Sequence, residues 1–299
     1  MERKKLAIIG KGAWGTALGS AFSSHEVEYV YRNESLLDNV SYILESDYVL
    51  IAVPAQANRD IFTLIQSYVK QEQPIILCSK GFEILTGKFL SEVAREYFPK
   101  NDILFLAGPN FSDEILDGLP AIATLACENK ELAAEVAENL STDTFKLYPT
   151  EDIVSSEIFA ALKNVIAIAC GISMGLNLGE NFKSAVITNM ISEALDLIRD
   201  LGGSVESIIS PAGIGDIILT STSEKSRNTS FGKLLVNKPP KKFLEENTVE
   251  GYFTLDSIMK ISSEVGISLP IVSYLYKVCY QRKTVKRTEF IRTISTRNG

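Results

Sequence analysis

Two lysines stand where an ammonium group is unusual. Lys163 sits in Ala160-Ala161-Leu162-Lys163-Asn164-Val165-Ile166-Ala167, a helix-period stretch that is apolar nearly all round. A lysine buried there is costly unless it is paired or faces a cavity. Burial lowers the pKa of an ammonium, which suits it to proton exchange near neutral pH. The local sequence leaves a structural ion pair, or a side chain that snorkels to the surface, equally open. Lys80, in Ser79-Lys80-Gly81, follows a strand pattern over Ile75–Cys78. It is therefore expected at the carboxyl end of a parallel strand, where open α/β sheets bind ligands. Gly108-Pro109-Asn110-Phe111 follows another strand in the same way, and its backbone and Asn110 are placed to shape a pocket floor. Both segments are also ordinary turn chemistry. Asp216 follows Gly213-Ile214-Gly215 at a helix start, as an N-cap or as a carboxylate free for other work. Ser226-Arg227-Asn228 joins a serine N-cap to a guanidinium fork, which suits a bound phosphate and equally a capped surface helix.

A glycine-rich turn adds a cofactor. Lys4–Ile9 reads as a charged start running into a strand, Gly10, Gly12 and Gly15 follow as G-x-G-x-x-G, and Thr16-Ala17-Leu18 opens a helix. Gly10 permits the tight turn, Gly12 lets the backbone approach phosphates, and Gly15 lets helix and strand pack closely. A dinucleotide is expected there, its pyrophosphate at the helix N-terminus. The second strand ends Tyr29-Val30-Tyr31-Arg32-Asn33, so Arg32 occupies the position that in NAD sites usually carries Asp or Glu for the ribose. Arginine pairs with a 2′-phosphate or stacks on adenine, so NADP is the expected cofactor and NAD the alternative. Hydride transfer to a ketone further requires a proton donor, a group that polarises the carbonyl, and an anchor for the rest of the substrate. The single histidine, His25, falls between the first helix and the second strand, at the adenine side or outside the site. That leaves the lysines as donors.

The chain of 299 residues is long enough for two domains. Strand patterns at Leu6–Ile9, Val27–Tyr31, Tyr48–Val53, Ile75–Cys78, Ile103–Leu106 and Ala121–Ala126 alternate with helix patterns such as Ala55–Lys70 and Lys88–Tyr97. Near-continuous apolar runs such as VLIAV indicate parallel strands buried on both faces. The expected fold is α/β, a doubly wound Rossmann-like domain over residues 1–149 followed by an all-helical domain over 150–299. The boundary is placed near Pro149. Helix patterns beyond it are Asp152–Ser173, Lys183–Leu201, Gly215–Thr222, Ser226–Val236, Thr254–Val265 and Ile271–Gln281, with hinge-like breaks at Gly202-Gly203 and Lys238–Lys241. The stretch from Arg32 to Asp47 leaves room for only one or two helical turns.

A net charge of −7 argues against a nucleic-acid partner. The basic run Arg282, Lys283, Lys286, Arg287 is expected to be a solvated helix end. Cysteines at 78, 127, 170 and 279 have no paired spacing and read as buried thiols in a reducing compartment. The first strand begins too early to leave room for a secretory leader, and no apolar stretch of membrane-span length is free of glycine or polar residues. A cytoplasmic protein is expected, with no membrane span. The dispersed acids and single histidine give no metal site.

The motifs, taken together, resemble the bacterial NAD(P)-dependent glycerol-3-phosphate dehydrogenases. The resemblance rests on IGKGAWGTALG at 9–19, VLIAVPAQ at 49–56, CSKGFE at 78–83, LAGPNFSDEI at 106–115, ALKNVIAIACGI at 161–172, PAGIGDIILTSTSEKSRNTSFG at 211–232 and VEG at 249–251. It implies reversible reduction of dihydroxyacetone phosphate to sn-glycerol 3-phosphate, supplying glycerophospholipid synthesis. It implies that Lys163 is the catalytic lysine, and that Lys80 contacts both substrate and cofactor. It further implies substrate contacts from Gly108, Asn110, Asp216, Ser226, Arg227 and Asn228. Cofactor contacts follow from Gly10, Gly12, Ala13, Trp14, Gly15, Arg32, Ser112, Arg227, Thr248 and Glu250, and a homodimer is implied. Three departures stand out: Asn110 replaces the usual Ser, Asn189 replaces an Arg, and the segment from Arg32 to Asp47 is shortened.

Overall fold

The computed structural model describes residues 3–30, 40–223, 226–237 and 241–296. Arg32 and Asn33 therefore lie outside the described residues, as do Pro239 and Pro240. The first half alternates β1 (Lys5–Ile9), α1 (Ala13–Ala21), β2 (Glu26–Val30), α2 (Val40–Glu45), β3 (Tyr48–Ile51), α3 (Asn58–Ile65), β4 (Ile75–Leu77), α4 (Leu90–Tyr97), β5 (Ile103–Ala107), α5 (Ser112–Leu116), β6 (Ala121–Ala126), α6 (Lys130–Leu140) and β7 (Phe145–Thr150). The strands form one sheet in the order β2-β1-β3-β4-β5-β6-β7. Every described pairing is parallel except β5 with β6. β1, β3, β4 and β5 are apolar on both faces because helices cover both sides, which buries nearly every residue in them. The chain passes from β1 to β2 on one side and to β3 on the other. That reversal opens a crevice beyond the carboxyl ends of β1 and β3.

Two features of the sheet depart from the sequence expectation. β7 has no apolar run, because it is an edge strand: Phe145 and Leu147 face the core, Lys146 and Tyr148 face outward, and Pro149, near the strand's end, is exposed. A proline is tolerated at such an edge, since the missing N–H leaves no interior ladder broken. Pro149 thus lies inside β7, one residue before the sheet ends. The antiparallel β6 follows a short α5, and strand direction leaves no mark on composition.

The second half is helical: α7 (Ile153–Gly175), α8 (Gly179–Asp200), α9 (Asp216–Thr222), α10 (Arg227–Leu235), α11 (Lys241–Glu246), α12 (Glu250–Val265), α13 (Pro270–Tyr280) and α14 (Arg287–Ser295). α7 is its axis, touched by α8, α9, α10 and α12. By length and composition α7 could cross a membrane, but 83% of its most apolar window is buried inside the protein. Glycines let the neighbours approach. A Cβ on Gly171 would lie 2.2 Å from the Thr229 carbonyl oxygen, and one on Gly232 would lie 2.1 Å from that of Ile168. One on Gly251 would lie 2.6 Å from the Asn164 carbonyl oxygen. α12 therefore rests backbone to backbone on α7 beside Lys163, and α10 does so about one to two turns further along. Asp152 caps α7 through the Ser155 N–H and also accepts from the Ser204 N–H and the Ser207 hydroxyl.

The basic run bridges α13 and α14. Most of it is exposed, but Lys283 pairs with Glu289 and lies 5.0 Å from the Tyr274 ring centre, and Arg287 donates to the Leu176 carbonyl. Cys78, Cys127 and Cys170 are buried, whereas Cys279 is half-buried; none is paired.

Candidate active site

The glycine turn closes the crevice at its β1 end. Gly10 takes φ +108°, and a Cβ there would come within 2.6 Å of the Ala52 carbonyl oxygen. Only glycine meets both conditions. A Cβ on Gly15 would lie 2.1 Å from the Gly10 carbonyl oxygen, so Gly15 is what lets α1 start so close to β1. The side-chain direction of Gly12 points into open space, with nothing within 4 Å. α1 begins at this residue with no side-chain cap, which leaves its first N–H groups to a ligand.

A cavity of about 450 Å³ opens there. Gly12, Ala13, Trp14, Lys80, Asn110, Ser112, Arg227, Thr248 and Glu250 line it, so residues spread over most of the chain converge on one space. A second cavity, about 520 Å³ and bounded by Gly10, Lys11, Val30, Gln56 and Ile61, lies beyond Val53 and Pro54, which line both.

Behind Lys80 lies the charged centre. Asp216 is the first residue of α9, yet its carboxylate does not cap that helix. A wide turn over Pro211–Gly215, broken by a non-helical ψ at Gly213, aims it inward. Lys163 Nζ donates to Asp216 Oδ1 at 2.6 Å, and Lys80 Nζ donates to Oδ2 at 2.8 Å. Lys80 Nζ also donates to the Gly108 carbonyl at 3.2 Å, and Thr220 donates weakly to Asp216. All three charged side chains are largely or wholly buried. Burial pulls Lys163 down to about 8; Asp216 opposes that and Lys80 adds to it. Burial acts to raise Asp216, but the two ammonium groups outweigh it and hold the carboxyl below its usual range. Lys80 is raised, since Asp216 overcomes the burial that would lower it.

A hydrogen-bonded network adjoins this centre. Asn164 donates to Glu250 at 3.0 Å and accepts from Asn228 at 2.9 Å, and Asn228 in turn accepts the Gly251 N–H at 3.0 Å. Ser226 is the N-cap of α10, its hydroxyl accepting from the Thr229 N–H. Arg227, the next residue, is exposed at the cavity rim. Asn164 and Thr220 are absent from the sequence-derived site. The available signal for Asn164 was a second polar residue beside Lys163 in an otherwise apolar run. His25 lies elsewhere: it is buried, accepts the Lys4 N–H at 3.2 Å, and lines a separate cavity with Ser20 and Thr142. Among the described residues no group of His, Cys, Asp or Glu could hold a metal ion.

Residues 152–289 match the family model for the NAD-dependent glycerol-3-phosphate dehydrogenase C-terminus, and residues 35–133 match that for the N-terminus. The chain is 34% identical to the glycerol-3-phosphate dehydrogenase (NAD(P)+) of Ehrlichia chaffeensis, over 95% of this chain and 98% of that one. It belongs to the NAD-dependent glycerol-3-phosphate dehydrogenase family. The Neorickettsia sennetsu enzyme of the same name is also 34% identical, over 91% of this chain and 88% of its own. The fold matches the crystal structure of glycerol-3-phosphate dehydrogenase from Coxiella burnetii with a TM-score of 0.87, at 24% identity and 99% coverage of both chains.

The residues present fit the dinucleotide that the family requires. Open space beside Gly12 leaves room for a pyrophosphate. Both polar side-chain atoms of Asn110 are buried in the cavity wall without a protein partner. Buried polar atoms are normally satisfied, so this pair is suited to a polar ligand. The second cavity is lined mostly by apolar side chains, as a planar base requires.

Proposed function

We propose that this chain catalyses the reversible NAD(P)H-dependent reduction of dihydroxyacetone phosphate to sn-glycerol 3-phosphate, the backbone of glycerophospholipids. The observation that carries the reading is the Lys163–Asp216–Lys80 bridge, whose Lys80 lines the same cavity as Gly12, Ala13 and Trp14 of the glycine turn. A bound reduced nicotinamide supplies the hydride. Lys163 gives its proton from Nζ to the carbonyl oxygen as the alkoxide develops, and accepts it in the reverse direction. With its pKa near 8, both forms are populated around neutrality. Lys80 stays charged and adds a second positive field at the developing oxyanion. Asp216 keeps the two ammonium groups together and orients Lys163.

Arg227, with Ser226 and Asn228 at the start of α10, holds the substrate phosphate. Gly108 and Asn110 shape the floor beneath the carbon chain. Gly10, Gly12, Ala13, Trp14 and Gly15 hold the pyrophosphate side of NADP or NAD. Ser112 stands beside the cofactor, and Thr248 and Glu250 close over the nicotinamide end, where Lys80 and Arg227 also reach. Residues 1–149 carry the pyrophosphate side of the cofactor and the substrate floor, and residues 150–299 carry the proton donor, the phosphate seat and part of the nicotinamide end. A cytoplasmic homodimer is the proposed working form.

The test compares turnover of dihydroxyacetone phosphate with that of unphosphorylated dihydroxyacetone, in the parent chain and in Arg227→Ala. A charge-assisted contact is worth about 1.5–3 kcal/mol, so kcat/KM for the phosphate ester should fall on the order of tenfold to a hundredfold. Efficiency on dihydroxyacetone should barely change. Equal efficiency on both substrates in the parent chain would reject the phosphate seat.

A further inference from the structure

We propose that Gln56 and Arg59 are positioning residues that act through a strap, residues 79–89, to set Lys80 on Asp216. The proposal rests on the role given to Lys80 above. Lys80 leaves the end of β4, and the next residue, Gly81, takes φ +118°. The chain turns sharply there, so β4 cannot hold the strap by itself. The anchors come from the segment after β3. The Gln56 side-chain N–H donates to the Phe82 carbonyl at 2.7 Å, and its oxygen accepts the Ile84 N–H at 2.9 Å. One carboxamide thereby grips the residues on both sides of Glu83.

Glu83 is buried and turns back toward α3. Its carboxylate accepts from Arg59 Nε at 2.6 Å and from Arg59 Nη2 at 3.0 Å, a two-pronged pair of the kind that fixes orientation as well as distance. Thr86 donates to the same carboxylate. From the helical half, Lys260 on α12 donates to the Ile84 carbonyl, and Phe82 is buried in the helical core. The segments VPAQ and KGFE therefore form one mechanical unit. Glu83 spends its carboxylate on Arg59 and Thr86 and is absent from the cavity lining, whereas Lys80 projects into the site. A site side chain needs placement to about 0.5 Å, and a loop alone supplies that poorly.

The experiment is a double-mutant cycle on the full chain: Gln56→Ala, Lys80→Ala and the pair. Steady-state reduction of dihydroxyacetone phosphate is measured for each. Gln56→Ala should lower kcat/KM about tenfold when Lys80 is present and less than about twofold when it is not. Because Gln56 also borders the second cavity, its losses are compared at saturating NADH, and the cofactor control is Glu83→Gln, whose residue lines neither cavity: NADH affinity there, read from quenching of Trp14, the one tryptophan in the chain, should stay within about twofold. Equal fold losses in both backgrounds, or a loss explained by NADH affinity, would overturn the proposal.

A second readout needs no turnover. Peptide mass spectrometry follows the labelling rate of Lys80 by an amine-reactive ester, with exposed Lys130 as control. The Lys80 side chain is only 14% exposed, and Gln56→Ala should raise its labelling severalfold while Lys130 stays constant. An unchanged Lys80 rate would refute the strap, even if the parent enzyme proved inactive on this ketone. Glu83→Gln keeps the shape of the strap and one prong of the pair. It should show the same pattern at smaller amplitude, and it decides the matter if Gln56→Ala does not fold.

Discussion

Asp216→Asn should move the pH dependence of the reaction, by an amount the structure allows to be worked out. Asp216 lies 2.6 Å from Lys163 Nζ and 2.8 Å from Lys80 Nζ, with all three groups shielded from water. Two unit charges at about 4 Å interact by about 4 kcal/mol at an effective dielectric of about 20. At about 1.36 kcal/mol per pKa unit this is roughly three units, and water entering the altered site reduces it to roughly two. The amide has almost the size of the carboxylate, so packing is retained while two ammonium groups lose their counter-charge. One of them then deprotonates, and Lys163 is already the weaker holder of its proton, at about 8.

The variant should therefore titrate near pH 6 (roughly two units lower). Ketone reduction needs protonated Lys163, so its rate falls as pH rises through that pKa. At pH 7.5 the protonated fraction drops from about three-quarters to about 3%, a loss of roughly 25-fold from titration alone. Oxidation of glycerol 3-phosphate needs neutral Lys163, so its rising limb should move to lower pH by the same amount. The assay is kcat against pH in both directions, from about pH 5.5 to 9.5. A reduction limb that stays near 8 in the variant, or moves upward, would refute the assignment of Lys163 as the titrating group.

Three further outcomes follow from groups away from the chemistry. Glu157 on α7 is buried against the N–H and hydroxyl of Ser91, and burial raises it from 4.5 to about 7. The fold thus keeps a proton that the unfolded chain loses above pH 4.5, so stability declines as pH rises from there to about 7, by about 3 kcal/mol at most. Thermal denaturation between pH 5 and 7.5 should show this decline in the parent and a flatter profile in Glu157→Gln; parallel profiles would exclude it. Glu193 is buried on α8, and its carboxylate takes the N–H groups of Ile271 and Val272 at 2.7 and 3.1 Å. Glu193→Ala strands two buried donors at the start of α13 and should cost about 3 kcal/mol in urea unfolding, with kcat of the folded enzyme intact. Gly171→Ala drives a methyl into the Thr229 carbonyl and should cost about 1–3 kcal/mol. It should also lower kcat/KM, because α10 carries Asn228 away from Asn164; normal activity would show that this network is dispensable.

How much of the site is legible in the sequence depends on the distance over which each group finds its partner. The glycine turn is readable because its constraints are mostly local: Gly10, Gly15 and the start of α1 lie within a few residues. Lys163 is readable as an anomaly, a charge in an apolar helix, but its meaning is not. Its partner is 53 residues away, and the partner of Lys80 is 136 residues away. Asp216 looks like an N-cap for the same reason. Only the turn at Gly213 shows that its carboxylate leaves its own helix for the two lysines. Gly171, Gly232 and Gly251 are unremarkable in a helical stretch until α10 and α12 are laid on α7. β7 hides because an edge strand needs apolar side chains on one face only. Gln56 is the sharpest instance. In VPAQ it reads as a residue after a strand, yet its carboxamide holds Phe82 and Ile84 on either side of Glu83. Residue type announces what chemistry a position can perform. Whether it performs that chemistry is decided by burial and by partners that only the fold brings within 3 Å.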